Sequence, residues 1–120
     1  MDIKIEMAND VVILIPTGDL VASTAEFFKS QVVKILEKRF VNILIDMSKI
    51  IFMDSSGLGA CMSVNKSIAE QAGVMVCCGQ NEAIVKVFKI THAIKRINVV
   101  ESRQDGLDKV QDLIAARKSA

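Results

Sequence analysis

The chain is short of the residues that most catalytic and metal sites need. It has one histidine, three cysteines and one proline in 120 residues, and neither sign of charge is in surplus. The single His92 and three cysteines without Cys-x-x-Cys spacing leave no ligand set for zinc. Gly-x-Ser-x-Gly, the sharp turn that exposes a hydrolase serine, does not occur, and the only histidine, His92, lies some way off in sequence from Ser55 and Ser56. No Walker lysine follows Gly57-Leu58-Gly59, and the pattern is not Gly-x-Gly-x-x-Gly, so a nucleotide cradle lacks its signature. The residues therefore ask for no metal and no cofactor, and the expectation is a protein that is not an enzyme.

Charge and hydropathy exclude further classes. Fifteen basic against fourteen acidic residues give a formal charge of +1, with no global field for nucleic acid or an anionic membrane. No apolar run approaches the ~18 residues that span a bilayer. The start, Met1-Asp2-Ile3-Lys4, alternates in polarity and has no signal-peptide core. An odd number of cysteines, two of them adjacent at Cys77-Cys78, suits buried free thiols in a reducing compartment. The expectation is cytoplasmic, with no membrane insertion and no direct nucleic-acid contact. Methionines such as Met53, Met62 and Met75 read as core filler. Lys86, Lys89, Lys95 and Arg96 read as a solvated face, or one that meets an acidic partner.

What is present is a regular alternation of short elements. A chain of this length should expose roughly 6,400 Å² when folded and bury about two-thirds of its unfolded surface, enough for one core, and a single domain over residues 1–120 is expected. Ile3, Ile5 and Met7 alternate with polar residues as in a half-exposed strand. Asn9-Asp10 turns the chain into the apolar run Val11 to Ile15, which Pro16 should stop and Gly18-Asp19 should turn. Ser23-Thr24-Ala25-Glu26 has capping-box spacing, so a helix is expected from there to about Lys38 with Phe28, Val32, Ile35 and Leu36 inward. Val41 to Asp46 reads as a buried strand. A second helix after Gly57 should turn Leu58, Met62, Ile68 and Ala69 inward, with Gly73 ending it in a left-handed conformation. Val74 to Cys78 is the next strand. Ala83 to Ile90 fits a helix or a strand, and Asn81 as a cap favours the helix. Val99-Val100 can form a last short strand. Leu107, Val110, Leu113 and Ile114 give a terminal helix, acidic at Asp105 and Asp108 and basic at Arg117 and Lys118, as its dipole favours. The pattern predicts an α/β fold, a mixed sheet of about four to five strands covered by about four helices.

Asp54-Ser55-Ser56-Gly57-Leu58-Gly59 lies between an expected strand and a helix. Its ordinary reading is a helix cap. Two serines and two glycines exceed what capping needs, because a glycine inside a helix costs about 1 kcal/mol relative to alanine. Close backbone approach by something is the expected reason. A phosphate on a serine there would add about −1.5 to −2 charges. Free amides at the helix start tolerate that anion while the neighbouring aspartate repels it, so the fold need not rearrange. A docked partner would instead have to bury it, at a cost of several kcal/mol.

Ile51-Phe52-Met53-Asp54-Ser55-Ser56-Gly57-Leu58-Gly59 closely resembles the signature of STAS-domain anti-sigma-factor antagonists. Gly18-Asp19-Leu20 with Thr24-Ala25 is similar to that family's loop before its first helix. Gly73-Val74-Met75-Val76-Cys77 is similar to its strand after the second, and the Phe88 region to its third helix. The resemblance implies a STAS-like single domain and a function as anti-sigma-factor antagonist. The unphosphorylated form would bind an anti-sigma factor that is a serine kinase with a histidine-kinase-like ATP-binding fold, freeing the sigma factor. Phosphorylation of Ser55 would end that complex, and a metal-dependent protein phosphatase would reset it. Asp54, Ser56, Gly57, Leu58, Asp19 and Leu20 would form the partner-binding surface, with Gly57 letting a partner's backbone close in. Many relatives have an acidic residue where this chain has Val21-Ala22, a departure that bears on partner choice or on the strength of the kinase complex. The alternative within the same fold is a regulatory subunit of an ABC transporter ATPase, or an adaptor in another partner-switching module.

Overall fold

A computed structural model describes residues 1–119. Two N-terminal strands, β1 (Asp2–Ala8) and β2 (Val11–Leu20), form an antiparallel pair across a turn at Asn9, whose φ of 56° is left-handed. The chain then alternates through α1 (Ala22–Glu37), β3 (Asn42–Asp46), β4 (Ile50–Met53), α2 (Ser55–Glu70), β5 (Val74–Cys78), α3 (Glu82–Ile90), a 3₁₀ turn (Ala93–Lys95), β6 (Asn98–Val100) and α4 (Arg103–Lys118). The sheet runs β1-β2-β3-β5-β6, with β4 added to β2 beyond the end of β3, and every pairing except β1–β2 is parallel. The mixed sheet with four helices is the α/β arrangement expected from the sequence, with six strands. The accessible surface is 6681 Å², close to the value that length alone gives.

Strand alternation divides the core in two. Val12, Leu14, Ile43, Ile45, Met75 and Cys77 face α1, α2 and α3, while Val11, Ile13, Ile15, Leu44, Val74, Val76 and Cys78 face α4. Adjacent cysteines thereby enter opposite layers. All three thiols are free and buried, and burial pushes Cys61 to about 12 and Cys78 to about 11. They are uncharged packing groups at physiological pH. The expected apolar face of α4 is present: Val110 is buried, with Leu107, Leu113 and Ile114 packed around it. The ambiguous segment after Asn81 is a helix. Asn81 caps it by accepting from the Ile84 amide at 2.9 Å, and Ile84 and Phe88 are fully buried.

Four expectations are corrected. Pro16 does not stop β2, because it falls between the part of the strand that pairs with β3 (Val12 to Leu14) and the part that pairs with β4 (Gly18 and Leu20), where a missing N–H does little harm. The Gly18-Asp19 pair accordingly lies within the strand. The capping box at Ser23–Glu26 is absent: α1 begins at Ala22, and Thr24 Oγ1 accepts from the Val21 amide at 3.0 Å and donates to the Asp19 carbonyl at 2.8 Å. The buried face of α2 is Gly57, Ala60, Cys61, Val64 and Ile68, rotated from the expected one, so Leu58 and Met62 are half-exposed and Ala69 is exposed. Finally, Ala72 takes the left-handed conformation after α2 (φ 60°), and Gly73 is glycine because a side chain would strike the Val41 carbonyl.

One charged cluster locks the back of the sheet. Arg103, in the first turn of α4, donates to Asp46 Oδ2 from Nη2 at 2.8 Å and from Nε at 3.1 Å, and its Nη1 reaches Glu6 Oε1 at 2.9 Å. Burial raises the Asp46 carboxyl, but the amide of Ser48 and the Arg103 guanidinium outweigh it and hold the group below its ordinary 3.8. A carboxyl lowered on folding stabilises fully above its unfolded value and loses that contribution as pH falls through the folded one. Stability should therefore fall on acidification below about pH 4, and Asp46→Asn should flatten that part of the profile. Arg103→Ala should cost about 1–2 kcal/mol in urea denaturation at neutral pH, since Asp46 is left with one partner.

Candidate functional site

The site is built where two helices begin on one side of the sheet. β2 ends at Leu20, whose side chain is fully buried, and β4 ends at Met53, also buried, beside it. Asp54 follows in extended conformation (φ −102°, ψ −174°) as the N-cap of α2, and its Oδ1 accepts from the Gly57 amide at 2.9 Å. Its Oδ2 accepts from the Ala22 amide, the first of α1, at 3.3 Å. One carboxylate thus sits against the starts of two helices, where both dipoles and free N–H groups favour negative charge. This contact supplies what the α1 sequence does not: Val21 has no side-chain oxygen, and the missing acceptor comes from 32 residues away.

Gly57 fixes how closely the two parts meet. A Cβ there would overlap the Leu20 carbonyl oxygen and crowd Met53, so α2 rests directly on the backbone at the end of β2. The close approach expected at Gly57 is made by the chain itself. Gly57 and Leu20 are buried and position the site rather than offering it surface. Asp19, Ser55 and Ser56 are exposed and Asp54 and Leu58 half-exposed, and all of them gather around this junction. Ser55 and Ser56 are the first two residues of α2, ahead of its first helical bond from Leu58 N to Asp54 O.

Gly59 is the opposite case. A Cβ at this exposed position would meet nothing within 4 Å. The helical cost of about 1 kcal/mol there is returned by no contact inside the chain.

Sequence reading missed two features. A groove of about 530 Å³ runs from Ser55 past Gly59 and Met62 to His92 and Arg96, between α2 and the turn after α3. His92 holds a left-handed backbone (φ 62°), and the Asn65 side-chain amide donates to the Arg96 carbonyl at 3.1 Å, tying that turn to α2. The other is a set of exposed apolar side chains: Ile51 and Phe52 of β4 are 72% and 53% exposed, and Ile90 at the end of α3 is 73% exposed. Asn81 Nδ2 donates to the carbonyls of Ile50 (3.3 Å) and Ile51 (3.0 Å), fastening α3 to β4. Among the described residues no group of three or more His, Cys, Asp or Glu could hold a metal ion, and no helix is long and apolar enough to cross a membrane.

The STAS domain profile matches residues 2–106. The anti-sigma-B factor antagonist of Listeria monocytogenes is 28% identical over 111 residues, covering 88% of this chain and 97% of its own. A crystal structure from Thermotoga maritima, provisionally described as an anti-sigma factor antagonist, superposes with a TM-score of 0.86 at 25% identity, over 91% of this chain and 94% of that one. The Bacillus cell fate determinant SpoIIAA in its phosphorylated form superposes with a TM-score of 0.71 at 19% identity, over 91% and 99%, a likeness of fold.

Gly57→Ala separates the two glycines experimentally. Although alanine favours a helix, forcing α2 off Leu20 should give a net loss of about 1–3 kcal/mol by chemical denaturation. An unchanged midpoint would mean that the junction is not tight.

Proposed function

The chain belongs to the STAS domain family, and from that premise we propose that it is an anti-sigma-factor antagonist whose binding is switched off by phosphorylation of Ser55. The observation that carries the reading is the placement of Ser55: an exposed hydroxyl at the start of a helix, beside a groove, on a junction too tightly fixed to rearrange. Ser56 is also exposed but does not line the groove. The unmodified protein binds an anti-sigma factor that is itself a serine kinase with a histidine-kinase-like ATP-binding fold, and the sigma factor is released. The exposed Ile51, Phe52 and Ile90 give that partner apolar contact next to the site.

In the kinase complex Ser55 is a substrate. Its Oγ forms a bond to the γ-phosphorus of ATP as the bond from that phosphorus to the ADP oxygen breaks. The hydroxyl proton passes to a base of the kinase, and magnesium neutralises the transferring group. Asp54, held by the amides of Gly57 and Ala22, keeps the serine's backbone in place. The dianion then lies at the face that was docked, and burying it without a counter-charge costs several kcal/mol, each ~1.4 kcal/mol a tenfold loss of affinity. A metal-dependent phosphatase delivers water to the phosphorus and returns the hydroxyl and inorganic phosphate. No step uses a catalytic residue of this chain.

Incubation with the cognate kinase, ATP and magnesium should add one phosphate, located at Ser55 by peptide mapping. Ser55→Ala should remain bound to that kinase, and Ser55→Asp should bind at least tenfold more weakly by calorimetry. Neither substitution should move the melting temperature by more than about 2 °C, because the side chain is exposed. Phosphate on Ser56, or none with a kinase that binds, would overturn the reading.

A further inference from the structure

Gly59 and Arg96 carry an inference about what occupies the groove. The hollow beside Ser55 continues into a second of about 510 Å³ along the outer face of α2, and the two share Gly59, Met62 and Arg96. Together they form one trough with α2 as its floor and the turn after α3 as its wall. The wall is fixed in place by the bond from Asn65 to the Arg96 carbonyl. No carboxylate lines either hollow, whereas Arg96, Lys66 and His92 all do. The same imbalance appears in the sequence: residues 83–100 include Lys86, Lys89, Lys95 and Arg96 without one acidic residue. Among the described residues the Arg96 side chain is held by no salt bridge. In the floor, shared by both hollows, stands Gly59, a glycine that nothing within the chain requires.

We propose that this trough receives a carboxylate-bearing segment of the anti-sigma factor kinase, whose backbone lies against Gly59 and whose acidic group pairs with Arg96. The inference rests on the functional reading above and deepens it. Gly57 and Gly59 then do two different jobs that the sequence does not tell apart. The first admits the chain's own Leu20 carbonyl, and the second admits the partner. Because Ser55 opens into the same trough, its phosphate places a dianion beside the cation that the partner's carboxylate uses. Phosphorylation thereby both repels that carboxylate and competes for its counter-charge.

The test uses the full chain and the purified kinase that phosphorylates Ser55. Gly59→Ala should raise the melting temperature by about 3–5 °C, since alanine is the better helix former and the space is open. The same change should weaken kinase binding at least tenfold by calorimetry. Arg96→Gln should weaken it about tenfold with an unchanged melting temperature, and Arg96→Lys should keep most of the affinity. A Gly59→Ala protein that binds as tightly as wild type would overturn the inference while the Ser55 switch stood. Loss of binding equal in Arg96→Gln and Arg96→Lys would remove the charge pairing. If no kinase binds wild type, the functional reading and this inference fall together.

Discussion

Everything at the site depends on one carboxylate held between two helix starts. Asp54 accepts from Gly57 in its own helix and from Ala22 in another, so α1 and α2 share an acceptor. The Leu20 carbonyl presses on Gly57 from below and receives the Asp54 amide at 3.4 Å. Strand ends β2 and β4 and helix starts α1 and α2 therefore form one unit, and moving any of them unpairs a polar group or creates an overlap. On this rigid base the two serines stand exposed.

That arrangement explains how a change of about two charges can act on binding and leave the fold alone. A phosphate at the first position of α2 meets amides that precede the first helical hydrogen bond, which favour it, and Asp54, which does not. The internal effects partly offset each other. On the proposed reading the external effect is not balanced in the same way, because a partner laid across Ser55 would have to desolvate the dianion and compete with it for Arg96. Stability of the base and sensitivity of the surface are separate properties here. Ile51, Phe52 and Ile90 are exposed apolar side chains on β4 and α3, and α3 is tied to β4 through Asn81.

Much of this was legible in the sequence, for identifiable reasons. Periodicity located α1, β3, β5 and α4 because their buried residues are large: Phe28 and Ile35, Ile43 and Ile45, Val74 and Val76, Val110. Asn81 decided a helix that composition left open. The segment around Ser55 was conspicuous because it breaks helical preference twice. What stayed hidden was tertiary in origin. The inward face of α2 begins with Gly57, Ala60 and Cys61, whose small side chains leave no hydrophobic stripe, and Gly57 is explained only by its contact with the end of β2. The cap of α1 does not form locally at Ser23, because the acceptor belongs to Asp54. Pro16 looked like a terminator, yet β2 changes partners at that point. The trough required two segments that are far apart in sequence, from Gly59 to Arg96, and no local pattern announces it.

The central claim is that charge on Ser55 abolishes docking without disturbing the fold. It is tested most directly by preparing the chain with phosphoserine at position 55 and measuring, side by side with the unmodified chain, its affinity for the kinase and its melting temperature. At least a hundredfold loss of affinity, about 2.7 kcal/mol, with melting temperatures within about 2 °C is the result expected. Equal affinities, or a weakened complex accompanied by a large fall in melting temperature, would contradict it.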